Sequence, residues 1–119
     1  LVAQLDTCFS LFIRLRDKDH YGKCVLGCGP IECVSHLITR GKFATRWDER
    51  NGFGMCHSAN LRHEYNPQYY TAWWIGKFGA DAYQALVYDS NQIAKHTNDD
   101  LRILLAEFRM ALEKGKHNA

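Results

Sequence analysis

Three cysteines fall within ten residues of the chain, at positions 24, 28 and 33, in a stretch that also holds two glycines and a proline. Cysteines grouped around a turn can form a metal knuckle in a reducing compartment. The total of five cysteines is odd, which argues against a disulfide scaffold. Residues 21–63 contain few large apolar side chains, and thin cores often depend on a structural metal. The sequence therefore predicts a zinc knuckle in this region.

Length and composition favour one globular domain of the α+β class. The chain has 119 residues, of which 46% are hydrophobic and 24% are charged, as is typical of a folded domain. We expect a single domain over 1–119 that is built from three parts. They are an N-terminal helix at 1–19, a small hairpin unit with the zinc knuckle at 20–65, and a helical C-terminal part at 66–119.

Within the hairpin unit, residue types predict strands and a loop. Residues 21–38 are rich in glycine, cysteine and β-branched residues, which predicts two short strands joined by a turn at 28–30. Residues 41–51 predict a loop with a helical turn. Gly52 and Gly54, at the end of this loop, are expected to need the backbone freedom of glycine.

The C-terminal part is predicted to consist of three helices. The first has Asn66 as its N-cap and Pro67 at its first helical position, and it ends at Gly79. Its aromatic stripe is interpreted as core packing rather than as a base-stacking surface, and consists of Tyr70, Trp73 and Trp74. A second helix follows, and the last begins at Thr97, where Asp100 completes an acidic form of the capping box. Apolar residues recur at helical spacing in the first and last helices of the chain, which predicts one buried face on each.

Positive charge is concentrated in the first half of the chain. Residues 1–63 carry a net charge of +3, whereas residues 64–119 carry −1. No apolar run approaches the ~20 residues that span a bilayer, and the first fifteen residues contain Asp6 and Arg14. We therefore expect no signal peptide and no membrane partner, and we expect the chemistry to lie in the N-terminal half.

A histidine and two asparagines follow the cysteine cluster in a spacing that suggests a nuclease site. His36 closes a predicted strand, Asn51 lies in the loop, and Asn60 comes four residues after Cys56 at the start of a predicted helix. A strand, a loop and a helix that begin beside a cysteine knuckle are the parts of a ββα-metal nuclease site. Histidine can act as a general base near neutral pH, and an amide oxygen suits a hard cation such as Mg²⁺.

The sequence resembles the phage NinG/Rap recombination proteins of the HNH endonuclease superfamily, which are related to phage endonuclease VII. The matching segments are 9–17, 36–40 and above all 44–51, which reads ATRWDERN. The resemblance covers nearly the whole chain. It implies a divalent-metal-dependent, structure-selective DNA endonuclease that uses Mg²⁺ or Mn²⁺ on branched double-stranded DNA such as Holliday junctions and D-loops. It further implies phage recombination in the cytoplasm of a bacterial host, a homodimer, and no small-molecule substrate.

By this resemblance, His36 is the expected general base and Asn51 braces the loop that orients it. Asn60 is expected to hold the catalytic metal or a group bound to it. Four arginines are candidates for phosphate contacts, because a guanidinium binds phosphate oxygens in pairs: Arg40, Arg46, Arg50 and Arg62. Arg46 has an alternative interpretation, which is an ion pair with Asp48 or Glu49.

The resemblance also implies two paired-cysteine knuckles that together hold a structural Zn²⁺. In this chain three residues rather than two separate Cys24 from Cys28, and Ala59 stands where a fourth cysteine is expected after Cys56. Alanine cannot bind zinc. Cys33 and His57 are the available replacements, and with Cys33 the ligands would be four thiolates. Alternatively, the cysteines are small buried side chains without a metal.

A second departure from the family pattern concerns catalysis. Endonuclease VII has an aspartate next to its catalytic histidine, whereas here Ser35 precedes His36 and the nearest acidic residue is Glu32. The alternative function is therefore a catalytically degenerate HNH module that binds branched DNA or a recombination partner without cleaving. A third is a small structural phage protein with no role on DNA.

Overall fold

The structure, a computed structural model, describes residues 1–94 and 96–117 of the chain. Within them the fold is α+β, with five α-helices and one antiparallel pair of strands. The elements are α1 (Val2–Tyr21), β1 (Cys33–His36), β2 (Gly52–Met55), α2 (His57–Tyr65), α3 (Gln68–Phe78), α4 (Ala80–Ser90) and α5 (Asn98–His117), with single 3₁₀ turns at Phe43–Thr45 and Glu49–Asn51. None of the described helices is long and apolar enough to cross a membrane.

Helix α1 forms one core with α5. Leu5, Phe9 and Ile13 lie on one face of α1 and are almost fully buried. The ring of Phe9 meets that of Phe108 on α5 edge to face, with 5.7 Å between the ring centroids. The predicted apolar faces of the first and last helices are thus confirmed. Helix α1 runs two residues beyond the predicted end, to a left-handed Gly22.

The predicted strand pair within 21–38 is wrong. Only β1 lies there, and it pairs with β2, so that Cys33 is opposite Met55 and His36 is opposite Gly52. Residues 24–29 instead form a tight turn, in which the Gly27 N–H donates to the Cys24 carbonyl. The sheet is therefore closed by a pairing between distant segments, and the connection at 37–51 contains the predicted helical turn as two 3₁₀ turns.

The two glycines of β2 serve close packing and not unusual backbone angles, contrary to the prediction. Gly52 has a φ of −128°, which any residue can adopt. A Cβ at Gly52 would lie 2.9 Å from Phe9 Cε1, and one at Gly54 would lie 2.9 Å from Ile31 Cγ2. Glycine is needed here because α1 and residue 31 press directly on the strand.

A second core lies between the sheet, α3 and α4. Tyr70 and Trp74 of α3 are buried, which confirms that the aromatic stripe is core packing. The Tyr70 hydroxyl donates to the Ser35 carbonyl at 2.8 Å, and Trp74 Nε1 donates to the Arg50 carbonyl at 2.9 Å. These hydrogen bonds join β1 and the second 3₁₀ turn to α3. Helix α3 therefore fixes both ends of the loop between the strands.

The helix boundaries of the C-terminal part follow the prediction to within one residue, since Pro67 is the N-cap of α3 and not its first helical residue. Gly79 ends α3 with a φ of 97°. The capping box is also present, since the Thr97 N–H donates to Asp100 Oδ2 at 3.0 Å and the Asp100 N–H donates to Thr97 Oγ1 at 3.1 Å.

We expect Asp17→Ala to destabilise the fold by about 2–4 kcal/mol. Asp17 is fully buried, and its carboxylate accepts hydrogen bonds from Arg16 and from the Gly54 N–H, the latter at 2.7 Å. The substitution leaves this strand N–H without a partner. Urea unfolding measures the change, with Asp19→Ala on the exposed side of α1 as the control. Equal stability of the two variants would contradict the role of Asp17.

Candidate functional site

Three cysteine thiols meet beside the start of α2. The Sγ atoms of Cys24 and Cys28 lie 3.5 Å apart, and those of Cys28 and Cys56 lie 3.0 Å apart. All three sulfur atoms lie within 4.8 Å of one another. Cys24 and Cys56 are buried, whereas Cys28 is exposed. Such a group of thiolates can hold a metal ion such as zinc. The prediction that Cys24, Cys28 and Cys56 lie together as possible metal ligands is therefore confirmed.

The backbone around the cluster is arranged to stabilise thiolates. Cys56 caps the N-terminus of α2, and its Sγ accepts a hydrogen bond from the Ala59 N–H at 3.4 Å. Burial alone would raise the pKa of Cys24, but backbone N–H groups of Cys56 and Leu26 donate to its sulfur and lower that pKa overall. Preformed N–H donors around sulfur are what a thiolate–metal site requires, since they offset the negative charge of the ligands.

The remaining thiol contacts show how closely the three sulfur atoms are packed. The hydrogen bond with Cys56, followed by burial, raises the pKa of Cys28 to about 12. Three thiols at this separation disfavour a negative charge on the most exposed of them. A divalent cation would offset the negative charge of three thiolates. Metal binding to such a cluster therefore favours the deprotonated thiols and releases protons.

Among the described residues, no side chain occupies the fourth ligand position of the predicted zinc site. Ala59 is fully buried and presents only a methyl group. The prediction that Cys33 completes the site is wrong, because its Sγ donates to the Met55 carbonyl at 3.4 Å and lies outside the group of three. His57 faces Glu32 instead, with Nε2 3.9 Å from the carboxylate. Cys33 is held away by the strand pairing, and His57 lies on the exposed side of α2.

A groove of about 830 Å³ lies between α1, β1 and α2, and none of the three clustered cysteines lines it. Both His36 and Asn60 line it. His36 is the last residue of β1, and Asn60 is exposed in the first turns of α2, directly after the buried Ala59. The antiparallel pairing of the strands, followed at once by α2, therefore brings the two predicted site residues to one surface.

His36 is held in one orientation. Its Nε2 lies 3.0 Å from the Arg46 carbonyl, which can only accept a hydrogen bond, so Nε2 carries the proton. Its ring packs on Phe9 with 5.5 Å between the centroids. Nδ1 has no hydrogen-bond partner in the described part of the chain and is not sealed from solvent. Burial lowers the pKa of His36, and the bond to Arg46 offsets this only in part, so the neutral form is favoured.

Asn51 is fully buried and holds the loop that contains Arg46. Its Oδ1 accepts from the Ile38 N–H at 2.7 Å, and its Nδ2 donates to the carbonyls of Ile38 and Thr45, each at 3.0 Å. The amide thereby links both ends of the loop to its middle. Asn51 itself has no contact with solvent, so it acts only through the residues that it positions.

His63 also lines the groove, and sequence reasoning gave it no role. Its Nε2 lies 3.1 Å from the His36 carbonyl, which places the proton on Nε2. Its Nδ1 is buried and has no hydrogen-bond partner among the described residues, so a lone pair remains unsatisfied. The signal in the sequence is the spacing, because a residue three positions after Asn60 lies on the same face of a helix.

The four arginines have different surroundings. Arg46 is mostly buried and binds Asp6 through two bonds of 2.9 and 2.6 Å, so its partner is neither Asp48 nor Glu49. These contacts lower the pKa of Asp6.

The Arg50 guanidinium is shared between two aspartates. Arg40 lines the groove with 60% of its side chain exposed and a long contact of 4.0 Å to Asp6. Arg62 is exposed on α2 and has no ion-pair partner within the described residues.

Acidic groups in the groove come from elements other than β1. The residue next to His36 in the strand is Ser35, which carries no carboxylate; it is buried, and its hydroxyl has no hydrogen-bond partner among the described residues. Glu32 lies near the cysteine cluster and accepts a hydrogen bond from the His57 N–H. Glu64 of α2 and Asp6 of α1 line the groove, and Asp6 is already bound to Arg46.

No protein-family model, no curated protein and no solved structure matches the chain.

Proposed function

We propose that the chain is a divalent-metal-dependent endonuclease of the HNH type. The observation that carries the proposal is the shared groove, in which an oriented, neutral imidazole and an exposed amide face the same space. His36 is presented at the end of β1, Asn60 at the start of α2, and the loop between the strands is fixed by Asn51. The three-cysteine group, with a zinc ion bound, would anchor the start of α2 and with it the position of Asn60.

The reaction is the hydrolysis of a phosphodiester. His36 Nδ1 accepts a proton from a water molecule, whose oxygen forms a bond to phosphorus while the bond from phosphorus to the leaving oxygen breaks. The proton on Nε2 stays with the imidazole, because the Arg46 carbonyl holds it there. The lowered pKa of His36 keeps it able to accept a proton at neutral pH.

Asn60 would hold a hard cation, whose charge would stabilise the phosphate and the leaving oxygen. The donor set of the groove fits Mg²⁺ or Mn²⁺ in kind, since Asn60 offers an amide oxygen and Glu64 a carboxylate on the same helix. Water molecules and a substrate phosphate would complete the coordination.

The substrate that we propose is branched double-stranded DNA, such as a Holliday junction or a D-loop in phage recombination. The support is the resemblance carried by segment 44–51 together with the positive charge of the first half of the chain. A homodimer would supply the two symmetric cuts that resolve a four-way junction. With this role, the protein would act in the cytoplasm of the phage's bacterial host.

Arg40 is expected to contact a phosphate, since it is exposed at the groove and only weakly paired. We expect Arg40→Ala to weaken binding to a junction and to reduce the salt dependence of binding by about one counterion. Arg50→Ala is the control, because its guanidinium is already shared by Asp48 and Asp89. Equal salt slopes for the wild type and Arg40→Ala, measured by fluorescence anisotropy, would exclude this contact.

The pH dependence of cleavage follows from His36. Only the neutral imidazole accepts a proton, and the pKa of His36 is lowered by burial, so activity should persist in mildly acidic solution. Near the ring, the charges of Arg40 and Arg46 lower this pKa, and the charge of Asp6 raises it. We expect the single-turnover cleavage rate to rise with pH to a plateau, with a midpoint below the ordinary histidine value of 6.5. A midpoint above 6.5 would contradict the assignment.

One observation favours the second candidate, an HNH module that binds branched DNA or a recombination partner without cleaving it. Ser35 provides no carboxylate beside His36 and is turned into the core. A labelled four-way junction with Mg²⁺ or Mn²⁺ separates the two functions. Metal-dependent nicking supports the endonuclease, whereas junction binding without nicking in either metal supports the binding module.

A further inference from the structure

The cysteine cluster provides one ligand fewer than a closed zinc site needs. We propose that Cys24, Cys28 and Cys56 bind their metal ion with one coordination position left to a neutral ligand from solution. Water fills that position by default, and a neutral nitrogen donor such as an imidazole can replace it. This inference does not depend on the nuclease proposal, because none of the three cysteines lines the groove that contains His36 and Asn60.

The lack of a fourth ligand follows from the start of α2. In a closed site four side chains surround the ion, and the turn after Cys56 would present the fourth from position 59. There the chain has a fully buried alanine, whose N–H points to Cys56 Sγ at 3.4 Å. Among the histidine, cysteine and acidic side chains of the described residues, the group within 4.8 Å contains only the three thiols.

The two nearest substitutes are held elsewhere. The Cys33 sulfur bonds to the Met55 carbonyl, and the backbone of Cys33 is fixed opposite Met55 in the sheet. The side chain of His57 is 71% exposed and lies near the Glu32 carboxylate, which also accepts the His57 N–H. To reach the cluster, either residue would have to give up these contacts.

Access and charge decide which ligand fits. Cys28 is exposed on the turn, so small molecules reach this side of the cluster. Three thiolates and one divalent cation leave a net charge of about −1, and the Glu32 carboxylate accepts the N–H of His57, the residue that follows Cys56. A further anionic ligand would add to this negative charge, whereas water or imidazole would not.

The test uses the full chain loaded with Co²⁺, whose visible absorption reports its ligands. Titration with imidazole should change the spectrum of the wild type saturably. Ala59→Cys supplies a fourth thiolate and should abolish this response. Ala80→Cys adds a cysteine at an exposed position outside the cluster and should keep it. No DNA is present, so the outcome is independent of nuclease activity.

Three outcomes would overturn the inference. One is a wild-type spectrum that shows thiolate coordination but does not respond to imidazole; if Cys33→Ser then restores a response, Cys33 is the fourth ligand. Another is an equal response of Ala59→Cys and the wild type, which would place imidazole binding at a different ion. The third is a wild type without any thiolate-to-cobalt absorption.

Discussion

His36→Ala is expected to slow metal-dependent cleavage of a four-way junction by about 10²–10⁴-fold, the range that a positioned general base contributes. The substitution removes the nitrogen that accepts the proton of the attacking water. The affinity for the junction should stay nearly unchanged, because the proposed phosphate contacts are made by arginine side chains and not by the imidazole ring of His36. Single-turnover cleavage and fluorescence anisotropy measure the two effects separately.

The matched control for this prediction is His20→Ala. His20 is exposed at the end of α1 and packs on Tyr21, away from the groove. Its removal should leave the cleavage rate within about two-fold of the wild type, as is usual for surface substitutions without a special contact. If both histidine variants cleave as fast as the wild type, His36 is not the base.

Removal of zinc should lower the melting temperature by about 10–20 °C. Zinc at a concentration of about 1,000 times its dissociation constant stabilises the folded state by ~4 kcal/mol, and each kcal/mol shifts the melting temperature of a domain of this size by several degrees. The reason is structural, because the ion would join the turn at Cys24 and Cys28 to the start of α2 at Cys56.

Thermal melts with and without a strong chelator measure this effect. Cys28→Ser should remove most of it without a large packing defect, because Cys28 is the exposed member of the cluster. Cys8→Ser, on α1 and outside the cluster, should retain the full chelator effect. A wild type that contains no zinc by elemental analysis and melts identically with chelator would refute the metal-binding role.

Local patterns in the sequence predicted the parts of the fold that depend on neighbouring residues. The apolar faces of α1 and α5, the end of α3 at Gly79 and the capping box at Thr97 all follow from spacing over a few turns. The knuckle cysteines were predicted for the same reason, since Cys24 and Cys28 are brought together by a turn.

Contacts between distant residues could not be predicted in this way. Residues 28–30 look like a turn between strands in the sequence, but fifteen residues separate the end of β1 from the start of its partner β2, and no local pattern specifies that pairing. The partner of Arg46 is Asp6, forty residues earlier, although two acidic residues follow it closely in the sequence. The packing role of Gly52 depends on the position of Phe9 across the fold.

The candidate site was predicted as a set of residues but not as a geometry. Sequence spacing named His36, Asn51 and Asn60, while the contact between His36 and the Arg46 carbonyl required the loop to be folded. His63 received no role because its importance lies in an unsatisfied buried nitrogen, which only coordinates can show. For the same reason, the sequence could not show that Cys33, a candidate fourth metal ligand, is held away from the cysteine cluster by the sheet.

The central claim is that a cation held at Asn60 lies beside the ring of His36 in the groove. Paramagnetic broadening by substoichiometric Mn²⁺ in NMR spectra of the full chain tests it most directly. The account predicts that the side-chain amide of Asn60 and the ring of His36 broaden first, while the ring of His20 stays sharp. Broadening that begins elsewhere, for example at Asp99 and Asp100, and leaves Asn60 and His36 sharp would contradict it.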